Sequence, residues 1–74
     1  MGRKKTLYTK SGAIAFIIIS CILNVDNYLE DFMYNLDCSA RQVRRYVHDI
    51  NLTFFDFHIQ AEIICKESRF ILIY

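Results

Sequence analysis

Arg41, Arg44 and Arg45 fall within five residues of one another, interleaved and flanked by Ser39, Gln42, Tyr46 and His48. This is a set of hydrogen-bond donors suited to nucleic acid. Arginine pairs bidentately with a guanine edge and glutamine with an adenine edge, while serine, tyrosine and histidine donate to phosphate oxygens. Arg3, Lys4 and Lys5 add cations that could follow the backbone or the minor groove. The other reactive residues promise less. Cys21, Cys38 and Cys65 are odd in number, lack C-x-x-C spacing and sit inside apolar patterns, so they read as buried thiols rather than as disulfides or metal ligands with His48 or His58. No paired carboxylates, Gly-rich phosphate loop, or nucleophile with a base and an orienter can be found. Neither an enzyme nor a cofactor is expected.

The element that must hold the arginines is a helix from Ser39 to Phe54. At 100° per residue, Ala40, Val43, Val47, Ile50 and Phe54 share one side with Tyr46 at its edge, and Arg41, Arg45, His48 and Asp49 lie opposite with Arg44 at the boundary. Ser39 is a good N-cap, and Gln42 three residues later completes an S-x-x-Q capping box. The basic face therefore occupies the first two turns, the part of a helix that meets base edges when it enters a major groove end-first.

Upstream, Asn27-Tyr28-Leu29-Glu30 offers an N-x-x-E capping box, and Leu29, Phe32, Met33 and Leu36 follow at helical spacing, so Tyr28 to Leu36 reads as a short helix. Only Asp37 and Cys38 separate it from Ser39. A helix, a turn this tight and a second capped helix form a helix-turn-helix unit, with Cys38 pointing into the angle between the helices. Downstream, Phe57, Ile59, Ala61, Ile63 and Cys65 alternate with His58, Gln60, Glu62, Ile64 and Lys66, and Phe70, Leu72 and Tyr74 alternate with Ile71 and Ile73. Two strands joined by a polar tip at Lys66 to Arg69 are predicted, the first series of each facing the core. The fold class is α+β, three helices followed by a two-stranded antiparallel hairpin.

The run from Leu36 to Asn51, LDCSARQVRRYVHDIN, resembles the "L-x-V-S-x-R-T-V-R-R-D-I-x-x-L-N" segment of DeoR-like, BglG-like and Mga-like winged helix-turn-helix transcriptional regulators of bacteria. The resemblance implies that Ser39, Arg41, Gln42, Arg44 and Arg45 cap the recognition helix or touch DNA, and that Phe54 to Tyr74 form the wing. Two departures stand out. Met33 occupies a position that usually holds Ala or Gly, which implies a wider helix crossing, and the wing tip lacks its usual glycines.

A chain of 74 residues bounds one small domain, here a basic arm over 1–10 and a winged helix-turn-helix domain over 11–74. Net charge is only +1 but is segregated, with an acidic stretch of Asp26, Glu30, Asp31 and Asp37 between basic ones. The 54% apolar content is high for so small a domain. Residues 13–23, AIAFIIISCIL, follow basic residues in the layout of a signal peptide, with Ile18 to Cys21 resembling a lipoprotein cleavage box. The opening Met1 to Thr6 also fits the loose myristoylation pattern. Eleven such residues are too few to span a bilayer, and the stretch is read as a first helix starting near Ser11, apolar nearly all round. On that reading Ile14, Ile18, Ile22, Ile71 and Ile73 are expected to face a second copy in a homodimer, since one small core cannot cover them all. The combined expectation is a cytoplasmic, dimeric DNA-binding regulator, not attached to a membrane. A winged-helix module that binds a protein, such as a phage or mobile-element inhibitor of a host nucleic-acid enzyme, is the alternative.

Overall fold

A computed structural model of the chain describes residues 9–74. Helices α1 (Lys10–Leu23), α2 (Leu29–Leu36) and α3 (Ala40–Asp56) are followed by strands β1 (Glu62–Lys66) and β2 (Arg69–Ile73), paired antiparallel with Ile63 opposite Leu72 and Cys65 opposite Phe70. This is the expected α+β layout of a winged helix. No helix among the described residues is long and apolar enough to cross a membrane.

Each helix begins where a side chain or a carbonyl answers its free amides. The Thr9 hydroxyl accepts from the Gly12 N–H at 3.0 Å, which places the start of α1 at Lys10. The Ser39 hydroxyl accepts from the Gln42 N–H at 3.1 Å, as its cap position requires. The expected box at Asn27 and Glu30 is corrected by one residue: Tyr28 is the N-cap, and Asp31 accepts from its N–H at 3.2 Å. Asn27 is used elsewhere. It is buried, and its amide donates to the Phe70 carbonyl at 2.8 Å and to Asn24 Oδ1 at 3.1 Å.

The helix ends share a device that needs no glycine. Asn24, Asp37 and His58 each adopt a left-handed backbone just past a helix, with φ of 59°, 50° and 58°. The residue after each turns its N–H back five residues, Val25 to Ser20, Cys38 to Met33 and Ile59 to Phe54. These bonds satisfy carbonyls that a helix C-terminus leaves open. Met33, at the position read as widening the crossing, is half-buried and packs on the core along with Cys38.

The core gathers Ala13, Ile17 and Cys21 from α1, Phe32 and Leu36 from α2, Val43, Val47 and Ile50 from α3, and Ile63 and Phe70 from the hairpin. Phe32 sits at its centre with no exposure, in an edge-to-face contact with Phe16 at 6.2 Å and a tilted one with Phe70 at 5.8 Å. Burial raises the Cys21 thiol to about 11, the behaviour of a packing residue rather than a nucleophile.

The first strand is shorter than its alternation suggests. Residues 57–61 form the C-cap of α3, a turn and a connection to β1, because the left-handed His58 takes Phe57 to Ile59 out of extended backbone. Phe57 and Ile59 are consequently exposed rather than core-facing, and His58 is a helix-terminating residue rather than a strand residue. Cys65 and Tyr74 are exposed too. Cys65 stands opposite the buried Phe70 and is nonetheless left to solvent, and Tyr74 follows the last residue of β2. At the tip, Glu67 and Ser68 both have positive φ, 54° and 66°, the pattern of a two-residue type I′ turn without its usual Asn-Gly.

Candidate nucleic-acid interface

The geometry of α3 follows from its two faces. Val43, Val47 and Ile50 are buried and Tyr46 is half-buried against the core, which turns Arg41, Arg44, Arg45 and His48 out to solvent. Gln42 is half-buried, with its N–H engaged by the Ser39 cap. Ser39, Arg41, Gln42, Arg44, Arg45, Tyr46 and His48 therefore lie together over the first turns of one helix. The helix N-terminus adds partial positive charge at the same end.

Asp49, read as the acid opposing these cations, is engaged elsewhere. Its carboxylate meets the Lys10 ammonium at 3.1 Å, joining the start of α1 to the middle of α3, and Asp49 itself is half-buried. Among the described residues, no ion pair holds Arg41, Arg44 or Arg45. Lys10, within the span read as the basic arm, thus pairs with Asp49 while its side chain stays 67% exposed. Arg3, Lys4 and Lys5 lie outside the described residues.

The wing is fixed by two asparagines whose role was not visible in the pattern. Asn51 donates from Nδ2 to the Ile63 carbonyl at 2.9 Å and accepts the Ile63 N–H on Oδ1 at 2.8 Å. Its side chain thereby imitates a neighbouring strand and clamps β1 to α3. On the other edge, Asn27 pairs with Phe70 through both its amide and its backbone carbonyl, which accepts the Phe70 N–H at 2.9 Å, and Leu29 N–H reaches the Ser68 carbonyl at 2.7 Å. The segment before α2 thus extends the hairpin by a short third rung, marked by the Tyr28–Arg69 bridge. An asparagine bordering the apolar stripe of a helix was the available signal for Asn51.

These contacts also decide what the tip can offer. The Arg69 guanidinium donates to Asn24 Oδ1 and lies over the Tyr28 ring at 5.8 Å, so it is used inside the domain. Lys66 remains exposed. A groove of about 570 Å³ opens at the opposite end of α3 from the arginines, lined by Phe55, Ile59, Ala61, Ile73 and Tyr74 with Asn51, Gln60 and Glu62 as its polar members. No His, Cys, Asp and Glu group with metal-binding geometry occurs among the described residues.

No family model matches the chain, nor does any curated protein or solved structure.

Proposed function

We propose that the chain is a sequence-specific double-stranded DNA-binding protein and a transcriptional regulator, with α3 as its recognition helix. The observation that carries this reading is the state of three side chains. Arg41, Arg44 and Arg45 are exposed, unpaired among the described residues, and confined to the first two turns of a helix whose start is fixed by Ser39. Arg41, Gln42 and Arg45 are assigned to base edges, and Ser39, Arg44, Tyr46 and His48 to phosphate contacts, with Arg3, Lys4 and Lys5 supplying further backbone contacts.

The test is selection of a preferred duplex from a random pool, followed by variants measured on it. Arg41→Ala or Arg45→Ala is expected to cost about 1–3 kcal/mol and to relax specificity at one position each. Lys4→Ala or Lys5→Ala is expected to weaken all sequences alike. Folded Arg41 and Arg45 variants that keep full affinity and specificity would defeat the assignment.

The apolar groove beside Phe55 and Tyr74 favours a second reading, a module that binds a protein. A chain acting only in that way would bind random duplex no better after salt is lowered.

A further inference from the structure

The face of α1 turned away from the core is apolar and uncharged. Relative to the fully buried Ile17, Gly12, Ala15, Ile19 and Ile22 all point within about 40° of the opposite direction at 100° per residue. All four are exposed, Ile19 at 53% and Ile22 at 58%, and Leu23 and Val25 extend the surface at 64% and 54%. No charged side chain occurs from Ser11 to Val25. Ile14 and Ile18, by contrast, are half-buried on the chain's own core, as is Phe16.

The four residues are spaced three, four and three apart, the a and d spacing of a helix pair, with small residues in the first half and isoleucines in the second. This gradient selects an orientation. In a parallel pair Gly12 would face Gly12 and leave a void while the isoleucines crowd at the other end. In an antiparallel pair with its two-fold axis at the level of Ile17, Gly12 lies opposite Ile22 and Ala15 opposite Ile19, small against large at every step. The face is therefore complementary to itself when reversed, as a two-fold interface requires.

We infer that α1 packs antiparallel on α1 of a second copy of this chain, through Gly12, Ala15, Ile19 and Ile22. Area sets the strength. The helix has 14 residues and is about 21 Å long, so its contact falls below the roughly 800 Å² per partner of a standard interface. The dimer belongs to the weak class, dissociating in the micromolar range. A membrane surface fits less well, since helices that lie in the interface carry lysines and arginines beside their apolar side and this one carries none between Ser11 and Val25. The inference does not rest on the DNA reading, and either can fail alone.

Sedimentation of the full chain without DNA, from about one to several hundred micromolar, tests it. A monomer–dimer equilibrium is expected. The Ile19→Glu, Ile22→Glu double variant should be monomeric throughout and keep its thermal unfolding, because both side chains are more than half exposed in the monomer. Orientation is read by thiol cross-linking with Cys38 and Cys65 changed to Ser. Gly12→Cys chains mixed with Ile22→Cys chains should give the mixed cross-linked pair. A Cβ at Gly12 comes to 3.2 Å from the Thr9 hydroxyl that caps α1, so the cap must give by a few tenths of an ångström, and the unfolding of Gly12→Cys is measured alongside. Ile22→Cys alone should not couple to itself, its two copies lying about 15 Å apart along the helices. A wild-type monomer at every concentration, a double variant that still dimerises, or ready self-coupling of Ile22→Cys would each overturn the inference.

Discussion

The two ends of α3 were built by different means. At its start, Ser39 answers the Gln42 N–H and the cations follow directly, so residue types and spacing alone locate both the cap and the basic face. At its end, His58 carries a left-handed backbone that no glycine announces, and the first half of a stretch with period-two alternation turns out to be a helix cap, a turn and a connection rather than strand. The difference lies in the chemistry. A hydroxyl three residues before an amide is a local, strongly preferred arrangement, whereas left-handed backbone at a non-glycine costs about 1–2 kcal/mol in isolation and persists only where the surrounding bonds hold it. Here the Ile59 N–H to Phe54 carbonyl bond, at 2.8 Å, and the clamp of Asn51 on Ile63 supply that hold.

The largest effect that would break this comparison is therefore removal of the clamp. Asn51→Ala leaves the Ile63 N–H and carbonyl without their partners and is expected to destabilise by about 2–3 kcal/mol, seen as a lower midpoint in urea. Hydrogen exchange should locate the loosening in β1 and residues 57–61 while α1 and α2 stay protected. A loss spread evenly over the domain would show that the clamp does not position the wing.

Ser39→Ala should cost less, about 1 kcal/mol, through the same kind of unfolding measurement. Because the cap fixes where the basic face begins, the variant should also lose affinity for DNA when all chains are folded. Loss of stability without any loss of affinity would separate the cap from the site.

The smallest effects run in the opposite direction. His58→Gly relieves the left-handed backbone and is expected to stabilise by about 0.5–1 kcal/mol, after the extra chain entropy that glycine loses. Replacing Glu67-Ser68 by Asn-Gly should give a similar gain at the tip, where both residues have positive φ. Thermal midpoints that fall in both variants would contradict the description of these turns.

Much of the fold was legible because burial recurs with helical period. Val43, Val47 and Ile50, and Phe32 with Leu36, are core residues as their spacing requires. The arginines were legible for the converse reason, since a face opposite that stripe can only meet solvent or a partner. What escaped depends on contacts distant in sequence. Asn27 reads as a cap until Phe70 is brought against it, Asp49 reads as a member of the basic face until Lys10 arrives, and Cys65 reads as core although only Phe70 of the Cys65–Phe70 pair is covered. Periodicity cannot tell a strand from a helix end followed by a turn. The pairing of Asp49 with Lys10 matters most for function, because it leaves the arginine face more positive than the sequence tally suggests.

The most direct measurement of the central claim is the salt dependence of binding to random duplex DNA by the full chain. If the α3 face and its accompanying cations neutralise phosphates, the logarithm of the binding constant should fall with the logarithm of salt concentration at a slope of about −3 or steeper. Arg44→Ala should make that slope shallower by about 1, since each phosphate contact contributes about 0.9. A flat response, or a slope unchanged in the folded Arg44 variant, would contradict the assignment of α3 as a DNA-binding helix.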